Sequence, residues 1–336
     1  MGIQLGELVE GREISIAALF DKKIAIDAFN WIYQFLSIIR QKDGTPLKDE
    51  KGRVTSHLSG LFYRTIKLMA AGVKPIYVFD GKMPEFKKQT AEQRRDIRAE
   101  AAREWKEALA RGDLEEARKY AQRAAELTDE MIRSSKRLLQ ALGITALQAP
   151  SEGEALCSLI TRNGDAYAAA TQDYDSLLFG CQRLVRNLSI TGKRRRGKEL
   201  INVEPELIVL KQALENLGIS RNQLITLGIL VGTDYNPGGI TGYGPKKALE
   251  LVKKRKTLKG VLSEVVWDFD VSAEEIYDFF RKPLGIDYNI EFGDIDEDAV
   301  KQLLCDEHDF SEERIDSALS KLKEEKKSQK SLSKWL

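Results

Sequence analysis

A chain of 336 residues that is 42% hydrophobic can bury one large core, alone or with attached modules, which excludes a disordered polymer. Its 53 Lys and Arg are offset by 52 Asp and Glu, so total charge names no polyanionic partner and any basic footprint must be local. Only two histidines, His57 and His308, and three widely spaced cysteines, Cys157, Cys181 and Cys305, are present. They argue against a zinc cluster or a disulfide framework and for an oxygen-liganded cation if a metal binds. No apolar run approaches the roughly 20 residues that cross a bilayer, and the N-terminus lacks a basic start followed by an apolar run. Met1-Gly2 is not followed by Ser or Thr at position 6, which is Gly6, so myristoylation is not expected. The expectation is a soluble intracellular protein.

Three apolar runs end in an acid: Lys23 to Asp27, Pro75 to Asp80 and Ala166 to Asp173. Such runs read as buried parallel strands, and the helical spacing of Ile32 to Ile39 and Leu58 to Met69 supplies crossovers for a mostly parallel α/β sheet. The acids then fall at the carboxyl edge of that sheet, where open α/β sheets place their ligand crevice. From about Glu85 to Leu142 the chain becomes a charged, Ala-rich helical excursion broken near Arg111-Gly112-Asp113. A solvated hairpin is the plain reading of such a segment. Its first part nevertheless carries Lys87, Lys88, Arg94, Arg95 and Arg98, a basic surface beside the acidic edge that suits a polyanion.

Leu184 to Ile190 and Leu200 to Val203 flank Thr191 to Gly197, which reads as a hairpin with a basic tip, either a solvated turn or a DNA contact. In Gly232 to Leu249 an apolar helix ends, a Gly242-Tyr-Gly244-Pro turn follows, and Pro245 opens another helix bearing Lys246 and Lys247. This resembles a helix-hairpin-helix, whose backbone amides bind phosphate without reading bases. After Lys321 a polar tail ends in Gln329-Lys-Ser-Leu332-Ser-Lys-Trp335-Leu336, either a frayed terminus or a docking peptide.

Ser151 is placed to cap a helix starting at Glu152, which would project Glu152 and Glu154 from its first turn. Asp173 and Asp175 alternate, so both would face one way on an extended strand exit. Each pair alone also occurs in phosphatases, sugar transferases and loops. Several carboxylates forced together would repel and take up protons, so a converging group needs divalent cations to stay ionised. Two Mg²⁺ ions roughly 4 Å apart would stabilise the attacking and leaving oxygens of a phosphodiester displacement. Neither histidine stands in a nucleophilic triad, and both read as structural.

Taken together, Asp27-Ala-Phe-Asn, Val78-Phe-Asp80-Gly-Lys, Ala149-Pro-Ser-Glu152-Gly-Glu154-Ala, Gln172-Asp173-Tyr-Asp175-Ser, Gly232-Thr-Asp234-Tyr and the terminal peptide resemble the flap endonucleases of the Rad2-like structure-specific nuclease family, in particular the short archaeal type. The resemblance spans nearly the whole chain. It implies a PIN-like 5′ nuclease fold and an enzyme of DNA replication, Okazaki fragment processing and repair. Such an enzyme removes 5′ flaps at single/double-strand junctions, with some 5′-to-3′ exonuclease activity. It implies Asp27, Asp80, Glu152, Glu154, Asp173, Asp175 and Asp234 as ligands of two Mg²⁺ ions, for which Mn²⁺ substitutes. Asp80, Glu152, Glu154 and Asp173 would hold the first, Asp175 and Asp234 the second, and Asp27 would act mainly through water. Lys87 and Arg94 would polarise the scissile phosphate.

By the same resemblance Tyr33 would stack on a nucleotide, Arg40 would lie near the junction, Gly2 would sit near the active site and the loop holding Thr55 would meet a 3′ flap. Gly242, Gly244, Lys246 and Lys247 would hold duplex DNA with a K⁺ ion on the backbone. Gln329, Leu332, Trp335 and Leu336 would bind the sliding clamp PCNA, although the family's pattern has a second aromatic where this chain has Leu336. The implied organisation is a monomeric nuclease domain over 1–325 with a tail over 326–336. Within the domain lie an N-terminal region (1–84), a helical arch (85–142), an internal region (143–225), a helix-hairpin-helix module (226–256) and a C-terminal helical region (257–325). The rival readings are a noncatalytic DNA-binding scaffold, a phosphatase using Asp173 or Asp175, and a sibling nuclease preferring gaps, nicks or bubbles. The phosphatase leaves Glu152, Glu154 and Asp234 unexplained.

Overall fold

The computed structural model describes residues 3–189, 192–196 and 199–332. Its sheet contains β1 (Arg12–Glu13), β2 (Lys23–Asp27), β3 (Lys74–Phe79), β4 (Ala146–Gln148), β5 (Ala168–Ala170) and β6 (Arg183–Arg186). After a separate hairpin of β7 (Lys193–Arg196) and β8 (Glu199–Asn202), β9 (Glu206–Val209) completes it. The order is β1-β9-β6-β5-β2-β3-β4. β2 runs parallel to β3 and β5, β3 to β4 and β5 to β6, whereas β9 is antiparallel to β6 and β1. The mostly parallel sheet expected from the apolar runs is therefore present.

Those runs lack polar alternation because both faces of the sheet are covered. Ile24, Ile26, Tyr77 and Phe79 point into one core, lined by α1 (Ala28–Ile38), α2 (Ser56–Ala70) and others. Ala25, Ile76 and Val78 point into the opposite one. Between β3 and β4 the chain leaves the sheet as a long hairpin, α3 (Lys88–Ala110) and α4 (Leu114–Arg123). Asp113 caps α4 by accepting from the Glu116 amide. Ala101 and Ala108 of α3 and Ala117 and Ala121 of α4 are all buried, and these small side chains let the two helices approach closely. α5 (Asp129–Ala141) returns to the first core.

The second face is built by α6 (Gly153–Asn163), the single turn α7 (Asp175–Leu178), α8 (Leu210–Leu217), α9 (Arg221–Val231), α10 (Pro245–Arg255), α11 (Leu258–Leu262) and α12 (Ala273–Arg281). α13 (Glu297–Lys301) and α14 (Glu312–Leu332) close the first face. α10 starts on Pro245 with Gly244 at its N-cap, the start anticipated for the phosphate-binding hairpin. Among the described residues no helix is long and apolar enough to cross a membrane.

Several local expectations are corrected. The basic run is not a tip: Lys193–Arg196 is itself a strand, paired with Glu199–Asn202, since ladder hydrogen bonds are made by the backbone and do not depend on side-chain type. β5 stops at Ala170, three residues before Asp173. α14 runs to Leu332 and so includes the first residues of the 326–336 tail.

Candidate active site

Asp27 ends β2 and Asp80 immediately follows β3, so two neighbouring parallel strands deliver their acids to one edge. Both carboxylates also close helix starts. Asp27 Oδ1 accepts from the Asn30 amide at 3.0 Å, and Asp80 Oδ1 accepts from the Gly153 amide at 2.7 Å. The second bond corrects the capping expectation. Glu152, not Ser151, is the N-cap residue of α6, its side chain makes no cap bond, and Asp80 supplies the acceptor from another strand. Position 153 must be glycine for this: a Cβ there would lie 2.7 Å from Asp80 Oδ1. The buried Ser151 hydroxyl has no hydrogen-bond partner.

The Asp173 to Asp175 segment is also not extended. Tyr174 is helical and Asp175 opens α7, with Asp175 Oδ1 accepting from the Ile3 amide at 2.8 Å. All seven acids nonetheless line one cavity of about 290 Å³, together with Asn30, Tyr33, Lys87, Arg94 and Tyr235. Asn30 Nδ2 donates to Asp173 at 3.0 Å, and the Thr171 hydroxyl lies 3.1 Å from Glu154 and 3.4 Å from Asp27. Asn30 stood in the Asp27-Ala-Phe-Asn run, and Thr171 had no signal of its own.

Burial dominates the electrostatics. Asp27 and Glu154 are raised well above ordinary carboxyl values, first by desolvation and then by neighbouring acids. Asp80 rises to about 6 and Asp175 to about 7, for the same reasons in the same order. Asp234 goes the other way: burial would raise it, but Lys87 and Arg94 outweigh that and lower it. Lys87 Nζ sits 2.7 Å from Glu152 and 3.5 Å from Asp234, and Arg94 pairs with Asp234. Burial opposes the Lys87 charge, yet Glu152 and Asp234 raise its pKa. Among the described residues no group of three or more His, Cys, Asp or Glu stands ready to hold a metal as arranged. Two of the carboxylates are instead tied to these cations. The donors are nonetheless all carboxylate oxygens, and buried acids that repel one another fit a hard divalent cation.

Other expected contacts fall outside the cavity. Gly242, Gly244, Lys246 and Lys247 are exposed at the turn before and the start of α10, and Lys247 lies over the Tyr243 ring. Arg40 donates to the Leu36 and Gly44 carbonyls and faces the Trp105 ring. Thr55 is buried at the start of α2, which leaves its side chain little surface for a nucleotide. Gly2, Trp335 and Leu336 lie outside the described residues, and Gln329 and Leu332 fall on α14. His57 bonds Ser134 and His308 bonds Asp49, and neither lines the cavity. All three cysteines are free.

The XPG N-terminal domain pattern matches residues 1–101 and the XPG I-region pattern residues 143–234. Flap endonuclease 1 of Pyrococcus abyssi is 57% identical over 100% of this chain and 98% of its own length. The chain belongs to the flap endonuclease family. Flap endonuclease 1 of Staphylothermus marinus is 50% identical over 96% of the chain and 94% of its own. The solved flap endonuclease-1 of Methanococcus jannaschii superposes with a TM-score of 0.77 at 41% identity, covering 98% of this chain and 100% of that one. The catalytic core of Rad2 in complex with DNA substrate matches with a TM-score of 0.69 at 25% identity, covering 93% and 96%. All seven acids fall within the two matched patterns: Asp27 and Asp80 in the first, and Glu152, Glu154, Asp173, Asp175 and Asp234 in the second.

Proposed function

We propose that this chain is a structure-specific 5′ flap endonuclease with 5′-to-3′ exonuclease activity, hydrolysing DNA phosphodiesters at single/double-strand junctions during replication and repair. The observation that carries the reading is the convergence of seven acids in one cavity beneath a helix that presents Lys87 and Arg94. Asp80, Glu152, Glu154 and Asp173 would hold one Mg²⁺, Asp175 and Asp234 a second, and Asp27 would act mainly through water. When bound, the ions supply charge stabilisation for the attacking and leaving oxygens of an in-line displacement.

The chain's own residues bind and orient. Asn30 and Thr171 fix the carboxylates of Asp173, Glu154 and Asp27. Lys87 and Arg94, now paired with Glu152 and Asp234, lie where a phosphate oxygen entering the cavity would meet their charge. The Tyr33 ring at the rim offers a stacking face. The α10 start, with Lys246 and Lys247, would hold duplex phosphate with a K⁺ ion on the preceding turn. The terminal residues Gln329, Leu332, Trp335 and Leu336 would dock on the sliding clamp PCNA, the enzyme working as a monomer inside the cell.

Cleavage of labelled single-flap, double-flap, nicked, gapped and bubble DNA, with Mg²⁺ and with chelator, tests this. Preferred cutting of flaps that stops with chelator is expected. Cutting that survives chelation, or a preference for gaps or bubbles, would overturn the metal or the flap assignment respectively.

A further inference from the structure

The end of the arch far from the cavity is fastened to the body by contacts that the catalytic reading does not use. Half-buried Trp105, on α3, donates its Nε1 proton to the Asp43 carbonyl at 3.2 Å. The Arg40 guanidinium lies 6.0 Å from the Trp105 ring centroid and is itself held by the Leu36 carbonyl at 2.7 Å and the Gly44 carbonyl at 2.8 Å. Asp43 Oδ1 and Oδ2 accept from the Thr45 amide and hydroxyl, so the carbonyl that receives Trp105 sits in a fixed turn. Gly44, at φ +85, abuts α4: a Cβ there would meet the Ala121 Cβ at 2.8 Å and the Arg118 Cα at 3.2 Å. Ser37 of α1 adds a bond to the Gln122 carbonyl at 3.4 Å.

At its other end α3 is held by Thr90, whose hydroxyl donates to the Asp234 carbonyl at 2.6 Å, and by the Arg94 pair with Asp234. Between the two ends Ile97 is 49% exposed. The helix is thus a rod pinned near both ends, and at 1.5 Å per residue Trp105 lies about 16 Å from Arg94. A tilt of about 10° about the Trp105 end would carry Arg94 roughly 3 Å, enough to break a hydrogen bond.

We propose that Trp105 is a positioning residue for the nuclease reaction: seated on Arg40 and Asp43, it sets the tilt of α3 and so delivers Lys87 and Arg94 over the carboxylate cavity before DNA arrives. The proposal rests on the catalytic reading of those two cations. Trp105 lies outside the lining of the carboxylate cavity, and the α10 start that would hold duplex phosphate is a separate element, so loss of Trp105 acts on the chemical step through α3.

The test compares the full-length protein with its Trp105→Ala and Trp105→Phe variants in single-turnover cleavage of a flap substrate, alongside affinity for the same DNA in chelator and hydrogen exchange. Trp105→Ala should slow cleavage about tenfold or more with affinity within about threefold. Trp105→Phe, which keeps the ring on Arg40, should recover most of the rate. Exchange in Trp105→Ala should accelerate in α3 and α4 and stay unchanged in β2, β3 and β5. Wild-type cleavage by Trp105→Ala, equal losses of rate and affinity, or exchange rising through the sheet would each overturn the proposal. If the parent protein cuts no flap with Mg²⁺, the endonuclease reading fails instead. Exchange in α3 and α4 then decides the fastening alone, and unchanged protection there overturns it.

Discussion

Replacing Asp175 with Asn tests whether the carboxylate cluster is held together against its own repulsion. Asp175 is buried, its carboxyl titrates at about 7 against an ordinary 3.8, and burial is the leading cause, followed by the charge of Asp234. Well below pH 3.8 the group is neutral in both folded and unfolded chains. As pH rises towards 7 the unfolded chain releases its proton first, so the contribution of Asp175 to metal-free stability is lost through that window. Ionising such a group costs on the order of 4 kcal/mol. Because neighbouring acids share the repulsion, about half of that is expected back in the variant, about 2 kcal/mol, or roughly 3 °C in melting temperature. Asn keeps an acceptor for the Ile3 amide, so the fold loses no bond. Thermal melts in chelator from pH 5 to 8.5 should show the parent destabilised relative to Asp175→Asn at the alkaline end, with the difference shrinking steadily towards the acid end. Added Mg²⁺ should raise the parent more than the variant. A variant that melts below the parent at pH 8, or an identical pH slope in both, would refute the argument.

Lys87→Ala removes the cation between Glu152 and Asp234 and should lower single-turnover cleavage about a hundredfold while DNA affinity changes far less; equal losses would make Lys87 a simple phosphate contact. Asp49 lies outside the cavity, where burial would raise its pKa but the bond from His308 and the Arg53 pair lower it. Its contribution is therefore present above 3.8 and lost as pH falls through the depressed value. Asp49→Asn should weaken protection of the 47–55 loop against hydrogen exchange at pH 7, and the difference from the parent should vanish under strong acid.

How far the site could be read from sequence depends on the kind of interaction that places each residue. Asp27 and Asp80 were legible because buried parallel strands impose an apolar run whose end is visible, and sheet topology carries two such ends to one edge whatever lies between them. Glu152 and Asp175 were legible as acids but not in their local geometry. The cap of α6 comes from Asp80, 73 residues away in the chain. The bond that fixes Asp175 comes from Ile3, 172 residues away, and no local pattern encodes a partner so distant. Asn30 is visible only as part of the Asp27-Ala-Phe-Asn run and Thr171 not at all, for the same reason: each is an ordinary polar residue until the fold sets it against a carboxylate. Arg40 is placed near the junction by the resemblance alone, and the carbonyls and indole that hold its guanidinium are contacts no local pattern encodes. The arch is the sharpest case. Its charge pattern describes the solvated faces of α3 and α4, whereas its placement comes from the small residues Ala101, Ala108, Ala117, Ala121 and Gly44 and from one indole, groups whose role appears only when two backbones are brought into contact.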